Sequence, residues 1–194
     1  MDKVPIHSAV LCALSIIATQ AGCEREALPL LCPGVADGEI VVTEVRGKQS
    51  GADDTDQWIE LYNASGGEIA LEGLQLVIQT LDGGRAARII VRSPDVRVAA
   101  GDYAVLGHTF EGMELAEMDY GYRADMESDL YDTAAIDVIS CGQLVERAIY
   151  RNLPATGTWA FSGPSVPDAA ANNDEGSWCV DDIGTPGQAN LECP

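Results

Sequence analysis

The sequence predicts an all-β domain, either a sandwich or a barrel. Short runs of β-branched, aliphatic and aromatic residues recur along the chain, each closed by Gly, Pro, Asn or Asp. No apolar stripe of helical period and useful length follows residue 22. The clearest run is Trp58-Ile59-Glu60-Leu61-Tyr62-Asn63, which reads as a strand. Alternation puts Gln57, Ile59 and Leu61 on one side and Trp58, Glu60 and Tyr62 on the other. Asn63-Ala64-Ser65-Gly66-Gly67 then gives a dense turn signal.

The totals bound the answer. The chain has 194 residues and a formal net charge of −20, from 31 acids against 11 Lys and Arg. Past a short leader this is the length of one domain with a sizeable core. A hydrophobic content of 46% excludes a disordered acidic tail. The charge repels phosphate backbones and anionic lipid surfaces at long range, which argues against nucleic-acid binding. It suits cationic partners or divalent ions.

Taken in order, the chain opens with Lys3 and then an uncharged apolar run, Ala9 to Ala18. That run is too short to span a bilayer, which needs about 20 residues. It fits the apolar region of a signal peptide covering 1–22. Gln20-Ala21-Gly22-Cys23 resembles a bacterial lipobox, with Gln20 where Leu is typical. The resemblance implies lipidation of Cys23, and Glu24 after it implies sorting to the outer membrane. Ordinary cleavage after Ala21, giving a secreted or periplasmic protein, is the alternative.

Residues 23–38 read as a tether with Pro29, Pro33, Gly34 and Gly38. Glu39 to Val45 is the first strand. The polar loop Arg46–Thr55 leads to the Trp58 strand. Leu74 to Gln79 and Arg88 to Val91 flank the turn Asp82-Gly83-Gly84. Val96-Arg97-Val98 leads to a strand over Tyr103 to Gly107. The acidic span 111–132 is the least regular part. Ala134 to Ile139 and Leu144 to Tyr150 flank Cys141-Gly142, a hairpin signal. Thr158 to Phe161 is the last clear strand, and the chain from Ser162 onward is rich in Pro, Gly, Asn and Asp.

Cys12 lies in the leader and Cys23 at its end. Cys32, Cys141, Cys179 and Cys193 remain, an even number in a chain read as exported, so two disulfides are expected. Four cysteines allow three pairings. Cys179–Cys193 would pin the turn-rich tail, and Cys32–Cys141 would join the start of the first strand to a hairpin turn. A four-cysteine zinc site is disfavoured, because the spacings are long and no C-x-x-C pair exists.

Several landmarks resemble the lamin-tail domain. They are Glu39-Ile40-Val41-Val42-Thr43-Glu44-Val45, Asp56 to Asn63, Leu71-Glu72-Gly73-Leu74, Ala99 to Leu106, and Gly184-Thr185-Pro186-Gly187-Gln188-Ala189-Asn190. Asp168 to Asp174, before Trp178-Cys179, resembles the loop that precedes the terminal motif. The resemblance spans about residues 33–191 and implies an immunoglobulin-like β-sandwich over 39–191. Bacterial members are secreted or surface-attached, alone or appended to nucleases, phosphatases and adhesins. The insert at 111–132 departs from the pattern and puts the sandwich edge there in question.

Each landmark also has a physical reading. Ile59 and Leu61 supply core, and Trp58 reads as sandwich packing. Asn63 is suited to a left-handed turn, with its side chain bonding nearby backbone. Pro186-Gly187 fixes a turn that Asn190 ties by side-chain hydrogen bonds.

No catalytic constellation stands out. The histidines are His7, in the leader, and His108, which reads as a surface residue after a strand. No nucleophile elbow, Walker loop or H-E-x-x-H occurs. Asp53, Asp54 and Asp56 offer hard oxygen ligands for calcium, but they lack EF-hand spacing and read first as a solvated loop. Tyr120, Tyr122 and Tyr131 in the acidic span read as packing for that insertion or as anchors of a protein contact. The expectation is a monomeric, lipid-anchored, non-enzymatic surface module with a protein or polymer partner and no cofactor. A hydrolase or hydrolase accessory is the alternative. His108 beside two carboxylates in a convergent pocket would favour it.

Overall fold

The computed structural model describes residues 31–51 and 56–194. The leader 1–22, Cys23, Asp53 and Asp54 lie outside the described residues. The strands are β1 Ile40–Arg46, β2 Trp58–Asn63, β3 Ile69–Ala70, β4 Gln75–Thr80, β5 Ala86–Ile90 and β6 Arg97–Val98. They continue with β7 Tyr103–Gly107, β8 Tyr120–Gly121, β9 Ala134–Ser140, β10 Gln143–Tyr150, β11 Thr158–Phe161 and β12 Trp178–Asp181. One sheet runs β12-β11-β1-β2-β7-β8 and the other β10-β9-β4-β5, with a small β3-β6 pair beside them. The two large sheets stack as a sandwich. Val42, Ile59, Leu61 and Leu106 from one meet Leu76, Ile78, Ile89, Ile136 and Val138 from the other in one buried cluster.

Local chemistry explains the elements. In β9 the alternation is clean: Ala134, Ile136, Val138 and Ser140 are buried and the residues between them are not. Cys141 and Gly142 join β9 to β10 with φ of 53° and 79°. Positive φ at both central residues gives the primed turn that suits strand twist. The structure also brings together the expected cysteine pairs. Cys32 and Cys141 have Cα atoms 5.0 Å apart, and Cys179 and Cys193 5.7 Å apart.

Three expectations are corrected. Asn63 is not left-handed; it ends β2 in strand geometry. Its side chain does hold the turn: Nδ2 donates to Gly67 O at 2.8 Å and Val98 O at 2.9 Å, and Oδ1 accepts from Ser65 N at 2.9 Å.

The acidic span is not a loose insertion. β8 pairs in parallel with β7 and covers that edge of the six-stranded sheet. Tyr120, Tyr122, Met126 and Leu130 are all buried in the core. Tyr120 donates to Ile90 O at 2.9 Å, and half-buried Tyr131 lies 4.4 Å beneath the Arg85 guanidinium. These side chains are committed to packing, which removes them as anchors of an external contact. Two of the span's acids occupy unpaired strand amides. Asp119 accepts from Val105 N and Asp125 from Ile90 N, both at 2.8 Å.

The turn-rich tail holds a further strand. β12 pairs with β11, joining Trp178 to Phe161 and Cys179 to Ala160. Residues 184–190 then cross the outer face of the six-stranded sheet as a strap. All six residues of β2 are therefore buried, Glu60 and Trp58 included. Thr185 to Gln188 is a turn closed by Gln188 N to Thr185 O at 2.9 Å. Pro186 presets its second position and Gly187 supplies φ of 75° at its third, as a type II turn requires. Asn190 ties the strap as expected. Its Nδ2 donates to Thr43 O and Phe161 O, each at 2.9 Å.

Candidate functional site

β2 and β7 are neighbours, and their pairing runs out at Trp58 opposite Gly107. His108 N continues the ladder by donating to Gln57 O at 2.7 Å. Asp56 and Gln57 thus stand beside His108 and Thr109 at one end of the sandwich. The span after β8 closes over them: Tyr122 N bonds Gly107 O at 2.9 Å and Arg123 N bonds Thr109 O at 3.0 Å.

His108 is 5% exposed, so the expected surface histidine is a buried one. Met126, which lies 18 positions further along, supplies the carbonyl that meets its Nε2 at 2.9 Å. A carbonyl only accepts, so Nε2 carries the hydrogen. Nδ1 faces Asp56 Oδ1 at 3.7 Å, beyond hydrogen-bond distance. The ring packs 5.5 Å from that of Tyr122.

Gln57 organises the carboxylate on the other side. Its Oε1 accepts from Leu130 N at 2.8 Å and its Nε2 donates to Asp129 Oδ1 at 2.7 Å. Lys48 Nζ holds Asp129 Oδ2 at 2.8 Å. That hydrogen bond is the largest cause holding the Asp129 carboxyl below its usual range. Tyr122 is buried, and burial pushes its phenol well above the ordinary value.

Beside these groups opens a cavity of about 520 Å³, walled by Lys48, Gln57, Phe110, Met113, Leu115 and Arg123 among others. That is within the range of small-ligand and side-chain pockets. Its apolar wall is unusually open: Met113 is 70% exposed and Phe110 49%. The Arg123 guanidinium sits 5.4 Å from the Phe110 ring. Sequence reading missed this group. The available signal was Phe110, one of only two phenylalanines, placed in a polar stretch right after the β7 strand.

Most polar groups around His108 are already engaged by neighbours. His108 has Asp56 Oδ1 at 3.7 Å and the Asp129 carboxylate close enough to interact electrostatically, and its Nε2 is taken by backbone. Asp129 is held by Lys48 and Gln57. The Thr109 hydroxyl lies 2.9 Å from the Met113 carbonyl and 3.1 Å from that of Phe110, and its one hydrogen is taken up there. Among the described residues, no nucleophile is paired with His108, and no three His, Cys, Asp or Glu side chains converge to hold a metal. Asp56 is the one member of the calcium triad that is described. No family model matches the sequence, and no curated protein matches it.

Proposed function

We propose that this chain is a non-catalytic binding module of the lamin-tail type, an immunoglobulin-like sandwich held at the outer membrane by a lipid on Cys23. The observation that carries the binding role is the cavity at the β2–β7 end. Exposed Phe110 and Met113, with Leu115 and Arg123, form an apolar wall with one stacked cation. Aromatic, Met and Arg side chains are the types that anchor protein interfaces. That wall gives a partner an apolar landing site beside Lys48, Arg123, Asp56 and Asp129.

The lamin-tail reading is supported by how its landmarks meet. Glu60 of the Trp-Ile-Glu-Leu-Tyr-Asn run accepts from Gly187 N of the Thr-Pro-Gly run at 2.8 Å. Export is supported by two cysteine pairs within bridging distance.

The test is capture of surface proteins and polymers by the mature protein, compared with a Phe110→Ser, Arg123→Glu variant of unchanged melting temperature. The reading predicts a partner held by the wild type and lost by the variant. Hydrolysis of a phosphodiester or phosphomonoester that disappears with His108→Ala would overturn it.

A further inference from the structure

Hydrogen counting at the strap leads to a result that its backbone path does not. Asn190 spends both Nδ2 hydrogens on Thr43 O and Phe161 O. Its Oδ1 must therefore accept, and it lies 2.8 Å from Thr185 Oγ1. A hydroxyl has one hydrogen, and this one goes to Asn190. Thr185 Oγ1 also lies 3.3 Å from Glu44 Oε2. Two oxygens face each other there, and only Glu44 can supply the hydrogen between them. Glu44 is fully buried, and its other oxygen accepts from the Thr158 hydroxyl.

We propose that a proton on Glu44 is the latch of the strap 184–190. It completes a chain from Glu44 through Thr185 to Asn190, and its loss lifts the strap from the sheet. Without that proton, Glu44 Oε2 and Thr185 Oγ1 face each other with no hydrogen between them, and a charge sits in a buried site with only the Thr185 amide and the Thr158 hydroxyl as donors. The surroundings oppose that charge. Asp181 faces Glu44 from β12, and Glu60 lies directly across the ladder on β2. Glu60 is in turn faced by Asp119 from before β8 and by Tyr103 from β7. From β11 comes only the Thr158 hydroxyl. The cation on β1 is Arg46, two residues along.

Burial, the largest cause, pushes Glu44 up to about 7, and it pushes Glu60 up to about 8. The pair therefore holds protons to higher pH than exposed carboxyls do. The Cys179–Cys193 bridge closes a loop around the strap with a separation of 14 residues. A lifted strap stays fastened at both ends and can return. Lifting uncovers Trp58, because Gly184 packs against its ring.

The test is amide hydrogen exchange on the full chain with disulfides intact, from pH 5 to pH 9, corrected for intrinsic rates. The reporters are the amides of Thr185 and Gly187, which donate to Glu44 and Glu60. Their protection should fall at least roughly fiftyfold between pH 5 and pH 8, as linkage to the Glu44 proton requires, and go on falling towards pH 9 as Glu60 ionises. Amides of β4 and β9, which open only when the sandwich unfolds, should stay better protected than the strap at every pH. Glu44→Gln, whose amide supplies a permanent donor, should shrink the fall at the strap. Constant protection overturns the latch. So does strap protection equal to that of β4 and β9 across the range, or a Glu44→Gln profile like the wild type's. If that variant does not fold, the Glu44 carboxyl carbon is followed by NMR in the wild type. Titration in step with the strap supports the latch, and titration complete below pH 5 overturns it.

Discussion

Replacing Asn190 with alanine removes the one side chain that joins the strap to two strands at once. Asn190 is 8% exposed and makes three hydrogen bonds, to Thr43 O, Phe161 O and Thr185 Oγ1. The Thr43 carbonyl needs it because β1 carries a bulge between Val42 and Glu44, where the ladder to β2 slips by one residue. Alanine leaves two buried carbonyls without that donor, while the Thr185 hydroxyl keeps Glu44 beside it. Each orphaned group costs about 1–3 kcal/mol, less whatever water recovers at the loosened strap. A total near 3 kcal/mol follows, which for a chain of this length is a fall in Tm of roughly 6–12 °C. Urea unfolding with an unchanged slope is the assay. Asn190→Asp is the control: it keeps the acceptor and puts a charge near Glu44, so it should be worse at pH 8 than at pH 5. A loss below about 1 kcal/mol for Asn190→Ala, at equal slope, would refute the reasoning.

Further outcomes are expected. Stability should be greatest near pH 4 to 5 and fall as pH rises towards 8. Burial raises Glu44 to about 7 and Glu60 and Glu146 to about 8, from 4.5 in the unfolded chain. Such groups contribute fully below the unfolded value and lose their contribution on the way up through the folded one. Urea midpoints that rise from pH 5 to pH 8 would contradict this. Non-reducing peptide mapping should return Cys32–Cys141 and Cys179–Cys193 peptides only. Cutting them should cost about 4.7 and about 3 kcal/mol for loops of 109 and 14 residues in the chain-entropy model. Cys23→Ser should move the protein out of the membrane fraction; retention with unchanged mass contradicts lipidation. Millimolar calcium should shift Tm little beyond screening, and a saturable shift lost on changing Asp53 and Asp54 to Asn would make that loop a site.

Much of the fold was legible because it depends on local pattern. β9 and β10 could be read from alternation and from Cys141-Gly142, whose positive φ values make the turn. β8 and β12 were not legible in the same way. Tyr120-Gly121 is a two-residue strand with no periodicity to detect, and it exists because β7 offers an edge. Trp178 to Asp181 lies among Gly, Asp and Asn and becomes a strand by pairing with β11. His108 was misplaced for a related reason. Nothing within five residues of it tells that Met126 will cover its ring. Alternation likewise separates the two sides of β2 without saying that both will be covered.

The buried glutamates show why the second cover exists. A strand presenting Glu60 beside Trp58 and Tyr62 normally turns that side to water. Here Glu44 and Glu60 are cross-strand neighbours under the strap, and among the described residues their hydrogen bonds come from hydroxyls and backbone amides. Their partners are Thr43, Thr158, Thr185 and the Gly187 amide. Hydroxyl and amide donors offset part of the rise that burial causes without placing a cation in the interior. The bulge at Thr43 turns one carbonyl toward Asn190, and the Pro186-Gly187 turn aims one amide at Glu60. Three distant runs, Thr43-Glu44, Glu60 and Thr185 to Asn190, are therefore one hydrogen-bonded unit. Changing any one member leaves a buried acceptor in another, so the three should tolerate substitution together and not singly. A double-mutant cycle between Glu60→Gln and Asn190→Ala reads this directly. Coupling above about 0.5 kcal/mol is expected, and simple additivity would mean that the strap and the strand pair are fastened independently.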